Sequence, residues 1–309
     1  MRRPLAALCA LAAAAALAGG CGFGAGGSSG PVTVSVTRDF GDKNLEPPKS
    51  EDAHDGDTVM RLLQRGFEVK TRYGGGFVQE IDGLSGGLEG DRRVDWFYYV
   101  NGIEADVGAA QRRVSPGDRI WWDHHDWQGA MRIPAVVGAF PEPFMSGENG
   151  RRFPLRLVCL DPEARNCNEV QTRLANADIT EVARSSLEQS VGQQVLRVLV
   201  GPWTQVRKDV AARQLEDGPR ASGVFARPSP DGRTLTVLDP DGRPAHRFGV
   251  GTGLVAATRF EGQQPTWLIT GTDEVGVASA AAALTPDALH DHFALAVNAG
   301  RGDPLPVLP

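Results

Sequence analysis

The side chains best suited to chemistry stand in small groups: His124 beside His125, His290 and His292 in "LHDHF", Cys159 and Cys167 in "CLDPEARNC", and Asp52, Asp55 and Asp57 in "EDAHDGD". Imidazoles could hold a metal or the axial position of a tetrapyrrole, carboxylates could hold calcium, and thiols could bind a soft metal or oxidise. Spacing limits each. Neighbours on a strand point to opposite faces, so His124 and His125 do not chelate one ion. Two residues apart on a helix, His290 and His292 turn to different sides. The three aspartates lack the spacing of a helix-loop-helix calcium site, and a solvated loop is expected there. No histidine lies near either cysteine in sequence, which favours a disulfide over a metal site. Catalytic signatures are missing too: there is no Gly-x-Ser-x-Gly elbow, no phosphate loop ending in Lys-Ser or Lys-Thr, and no His-Glu-x-x-His. "GVGTGLVAA" lacks the third glycine of a dinucleotide site. The expectation is a protein that is not an enzyme and uses no metal or cofactor.

Aromatic rings make the stronger signal. Residues 95–127 gather Trp96, Phe97, Tyr98, Tyr99, Trp121, Trp122 and Trp127, in a chain that is 7% aromatic. "VDWFYYVNG" reads as a strand closed by an Asn-Gly turn, and "GDRIWWDHH" as a strand led in by "SPGD". Trp96 and Tyr98 then share one face and Phe97 and Tyr99 the other. Likewise Ile120, Trp122 and His124 oppose Trp121, Asp123 and His125. A single helix covers only one face of such a sheet, so the other set needs a second domain, a partner or a ligand. Because exposed aromatic patches usually mark binding surfaces, Trp96, Tyr98, Tyr99, Trp121, Trp122, His124 and Trp127 are candidate ligand contacts. Tyr73 and Phe77, from the glycine-broken "YGGGFVQEIDGL", join them.

The positioning elements start after a leader. Residues 1–20 carry Arg2 and Arg3, an apolar run from Leu5 to Leu17, and small residues before Cys21. This reads as a secretory signal, with an apolar run too short to span a membrane. Ala18, Gly19, Gly20 and Cys21 resemble the cleavage box of bacterial lipoproteins, although Ala18 stands where a larger apolar residue is usual. The resemblance implies lipidation at Cys21 and a place outside the cytoplasm, on the cell membrane of a bacterial envelope. Residues 21–30 are then a flexible tether. Losing Arg2 and Arg3 takes the formal charge from −6 to −8, which argues against nucleic acid as a partner. In an oxidising compartment Cys159 and Cys167 should pair.

In the first folded stretch, "PVTVSVTRDF" alternates as a half-buried strand, and "DTVMRLLQRG" makes a helix capped by Asp57 and ended by Gly66. The succession "TVMRLL", "GGGFVQEIDGL", "DWFYYVNG", Gly108 and "VSPGDRIWW" resembles the transcobalamin-like C-terminal domain family over residues 31–127. That family comprises small β-grasp modules of bacterial surface lipoproteins and of animal cobalamin carriers. The resemblance implies a ligand-binding β-grasp fold, with a corrinoid-like molecule as one such ligand. The acidic insertion before the helix and the His124–His125 pair depart from the pattern. Residues 128–154, rich in proline and glycine, read as a linker. Over 155–309 "FPLRLVCL", "QVLRVLVGPW" and "GLVAATRFEGQQPTWLITG" read as strands, while "TEVARSSLEQSVG", "TQVRKDVAARQL", "DEVGVASAAAAL" and "TPDALHDHFALAVN" read as helices. Two Asp-Gly turns join strands in "GVFARPSPDGRTLTVLDPDGRPAHRFG".

The fold class expected is therefore α+β, a β-grasp-like N-terminal domain followed by a second mixed α/β sheet domain. The function expected is a lipid-anchored capture protein for a small ligand, working with a membrane importer. A protein-protein module of the envelope is the alternative, and an enzyme carried by the second domain comes last.

Overall fold

The computed structural model describes residues 30–160, 165–189 and 192–309; the leader, the tether and Cys21 lie outside them. The chain is α+β, with two seven-stranded sheets. In the first, β1 (Gly30–Arg38) runs parallel to β10 (Arg119–Asp126), which pairs antiparallel with β8 (Arg92–Val100). β2 (Lys43–Asn44) and β3 (Lys49–Ala53) edge β1, and β7 (Gly87–Glu89) and β9 (Ile103–Glu104) edge β8. A separate small sheet joins β4 (Val69–Arg72), β5 (Phe77–Ile81) and β6 (Leu84–Ser85). The acidic insertion is thus partly strand rather than a solvated loop, because β1 offers it an open edge.

Helix α1 (Val59–Gly66) lays Val59, Leu62 and Leu63 on the sheet over Val34, Ile120 and Trp122. Its cap is Thr58, whose hydroxyl accepts from the Arg61 amide. Asp57, the expected cap, instead grips the Arg65 guanidinium at 2.7 and 2.8 Å, and that contact holds its carboxyl below the usual range.

The second sheet orders β12 (Val182–Ser185), β11 (Leu155–Cys159), β13 (Leu196–Pro202), β18 (Thr266–Gly271), β17 (Gly253–Thr258), β19 (Ala294–Asn298) and β20 (Arg301–Leu305). The first four are parallel and the rest antiparallel. Helices α2 (Arg165–Asn176) and α6 (Glu274–Ala282) cover one face. Short helices α3 (Trp203–Val206), α4 (Val210–Arg213), α5 (Pro219–Ser222) and α7 (Pro286–Leu289) fill connections, and β14 (Ala226–Pro228), β15 (Leu235–Leu238) and β16 (Pro244–Phe248) form a meander through the two Asp-Gly turns.

Two corrections follow. "TEVARSSLEQSVG" holds strand β12, not a helix, while the helix lies earlier, where Cys167 occupies its first turn. The disulfide Cys159–Cys167 pins that turn to the end of β11, with Cα atoms 5.9 Å apart. "TPDALHDHFALAVN" gives one helical turn, capped by Thr285 as expected, and then β19, because Leu295 and Val297 belong to a buried strand.

Residues 128–154 do not run free. Ile133, Val136, Val137, Phe140 and Phe144 are buried, and Val136 joins Tyr99 and Trp121 in a core shared with Leu199, Leu254 and Leu268 of the second sheet. That core joins the two sheet regions.

Candidate functional site

Burial reassigns the predicted aromatic surface. Tyr99 and Trp121 are inside the shared core and stack edge-on against Phe293 at 5.5 and 5.1 Å. Trp96 and Trp122 are buried with α1 on the opposite face, where Tyr98 stacks on Trp122 at 4.8 Å and donates to the Val107 carbonyl. His124 is buried beside Trp96, its Nε2 3.2 Å from the Ser85 carbonyl, and burial lowers its pKa. Trp127 is half-buried beneath Arg93. Phe77 is half-buried against Tyr73, which is exposed. Trp96, Tyr99, Trp121 and Trp122, expected as ligand contacts, are thus packed inside the protein, because both faces of their strands have found covers.

At the seam between the two regions the sequence reading missed a constellation. The backbone after β1 turns through Asp39, Phe40 and Gly41, all three with left-handed φ of 56°, 58° and 85°. Such a conformation is costly for phenylalanine and asks for compensation. Asp123, wholly buried on β10, supplies it: Oδ1 accepts the Phe40 amide at 3.1 Å and Oδ2 the Gly41 amide at 2.9 Å. The same carboxylate accepts from the Thr37 hydroxyl at 2.5 Å and meets His125 Nδ1 at 2.7 Å, while Trp121 Nε1 donates to Thr37 at 2.7 Å. The Phe40 ring is driven inward, stacking on His125 at 4.6 Å and meeting Phe225 and Phe293 edge-on. Alternation placed Asp123 and His125 on one face correctly; nothing local announced that a loop distant in sequence would bind them.

This turn divides two clefts between the regions. The larger, about 590 Å³, is walled by Arg38, Asp39, Asp42 and Lys43, by Asp91 and Arg92 at the start of β8, by Asp126 at the end of β10 and Gln128 beyond it, and by Asp239, Pro240, Asp241 and Arg243 of the β15–β16 turn, with Leu308 and Pro309 beside them. The smaller, about 310 Å³, lies across the turn between Phe40, His246, His292 and Arg301. A third, about 470 Å³, brings the edge of Trp121 to Thr33, Arg119 and His290.

In the larger cleft six aspartates face four basic residues. Asp39 is taken by Arg38 Nε at 3.0 Å and Lys43 Nζ at 3.3 Å, and Asp241 by Arg243 at 2.7 Å. Asp126 is different. It is 3% exposed, Oδ1 accepts the Gln128 amide at 2.8 Å, and Oδ2 has no partner. A buried carboxylate oxygen without a donor costs about 1–3 kcal/mol or more, relieved when a donor arrives. Among the described residues, no group of three or more His, Cys, Asp or Glu side chains is placed to hold a metal ion. The cleft offers ion pairing and hydrogen bonding to a polar ligand.

Residues 56–126 match the model of a family described as a domain of unknown function, DUF4430, inside the stretch whose motifs resemble the transcobalamin-like module. Among solved structures, a presumed metal-binding protein from Ruminococcus gnavus is similar at 17% identity over 31% of this chain and 97% of its own, with a TM-score of 0.25. Haptocorrin in complex with Cbi is similar at 18% identity over 32% of this chain, with a TM-score of 0.27, and the chain spans 25% of haptocorrin's length. No curated protein matches the chain.

Proposed function

We propose that this chain is a lipoprotein anchored through Cys21 outside the cytoplasm, which captures a small polar ligand in the larger cleft between its two sheet regions and hands it to a membrane importer. The observation that carries this reading is the cleft itself: a concave space at a domain seam, framed by a strained turn and floored by a carboxylate lacking a donor. Export and the tether set such a body on the outer side of a bilayer, where a capture protein works.

A corrinoid-like ligand needs an apolar face to lie on, and most rings that could supply one are buried in the cores. The charged lining favours a smaller, polar molecule. Absorbance of freshly purified protein separates the two: we expect none in the visible, and a corrin or haem spectrum would overturn the choice of ligand class. Small molecules released by denaturing protein taken from its native envelope should include one that is absent when Gln128→Trp fills the cleft. Identical extracts from both proteins would contradict the cleft as the capture site.

A further inference from the structure

We infer that the larger cleft recognises an organic ammonium group, with Asp126 as its ion-pair acceptor. The inference rests on the capture reading above and adds the charge of the ligand. Three observations carry it. The carboxylates of the wall outnumber its basic groups, and the arginines and lysine are already committed: Arg38 and Lys43 to Asp39, Arg92 to Glu89 at 2.7 Å, Arg243 to Asp241. An anionic ligand would therefore have to break existing pairs, whereas a cation would meet carboxylates in waiting. Among the described residues, neither Asp42 nor Asp91 has a hydrogen bond or ion pair on its carboxylate, so the rim of the cleft stays negative. Asp126, 3% exposed, offers at Oδ2 a strong acceptor with no donor, and a charge-assisted hydrogen bond to a buried carboxylate is worth more than one at the open surface.

Geometry selects ammonium over a bare metal ion. Asp126 is the one buried carboxylate of the cleft; the other wall aspartates are half-buried or exposed, and no three of the described acidic or imidazole groups converge as a metal would require. An ammonium has three N–H donors and needs only one carboxylate as anchor, with Asp42 or Asp91 free to meet a second nitrogen. Phe40, Pro240 and Leu308 supply apolar wall for a short methylene chain. The ligand class is thus a small aliphatic amine or diamine.

The test is calorimetric titration of the mature chain with 1,4-diaminobutane, and with succinate as the anionic counterpart of the same length. Saturable binding of the diamine and none of succinate is expected. Asp126→Asn, which keeps the Oδ1 acceptor for the Gln128 amide, should weaken the diamine about tenfold or more, the loss of one charge-assisted contact. Asp42→Asn, at the exposed rim, should weaken it a few-fold without touching the fold. No diamine binding, or binding unchanged in Asp126→Asn, overturns the inference. If Gln128→Trp still removes a co-purified molecule while the diamine fails to bind, the cleft stands and only the ammonium assignment falls. If Gln128→Trp binds diamine as the parent does, the cleft itself is the wrong place.

Discussion

At the scale of single residues the rings decide most. Trp122 and Trp121 lie on opposite faces of one strand, yet each is nearly sealed, at 2% and 4% exposure, because α1 covers one face and the second sheet region the other. Truncating either to alanine, or truncating Tyr99, should therefore cost about 3–5 kcal/mol in thermal unfolding, the price of an emptied aromatic site. Tyr98→Ala, at a half-buried position, should cost less. A variant of the first three that kept its stability and lost ligand capture would return that ring to the site. Histidine gives a pH signature. Burial lowers the pKa of His124, so the folded state resists its protonation and this residue's contribution to stability is lost as pH falls below the ordinary value of about 6.5. Raised carboxyls such as Glu104 and Asp118, both desolvated, act in the opposite sense, gaining stability as pH falls through their raised values. The comparison with His124→Gln isolates the imidazole: relative to the parent, the variant should become more stable as pH is lowered from 7 to 5. A difference that stays flat would mean that folding leaves the pKa of His124 unchanged.

Among elements, the turn after β1 carries the most constraint. A Cβ on Gly41 would collide with the Asp291 carbonyl and would sit at a positive φ, so Gly41→Ala should open the seam and lower the melting temperature far more than an ordinary surface change. A melting temperature like the parent's would show the seam to be loose. The disulfide between β11 and α2 closes a short loop and should contribute about 2–3 kcal/mol through the unfolded chain; mass spectrometry of unreduced peptides checks the pairing, and two free thiols in protein taken from its native cells would contradict it. What could be read beforehand followed from local rules. Alternation fixed β1, β8 and β10 and the two faces of the aromatic strands, and turn chemistry marked the meander. Where local pattern was ambiguous, tertiary context won: "TEVARSS" has helical spacing but completes a parallel edge beside β11, and "FALAVN" is pulled into a sheet by its apolar run. The candidate cleft was largely illegible, since Arg38, Asp126 and Asp239 converge only through the packing of two distant regions. Asp39 and Gly41 carried the one faint signal, a turn-forming pair at the end of a strand.

For the whole molecule, the two sheet regions form a single interlocked body. Besides the shared core, a Cβ on Gly129 would run into the Pro240 carbonyl, and Arg259, buried in the second region, reaches Asp106 of the first at 3.2 Å. Residues 31–127 expressed alone should accordingly expose Tyr99 and Trp121 and aggregate or bind hydrophobic dyes, whereas a soluble, cooperatively melting fragment would show that the module needs no partner region. Anchoring belongs to this scale as well: Cys21→Ser should free the protein from membrane fractions or leave it unprocessed, and a variant that is processed and fractionates like the parent would rule out lipidation. The most direct measurement of the central proposal, capture in the seam cleft, is native mass spectrometry of the protein recovered gently from the cells that make it, parent beside Gln128→Trp. The account predicts a discrete mass increment on the parent that disappears from the variant while both remain folded; a parent without any increment, or an increment that survives the filled cleft, would contradict it.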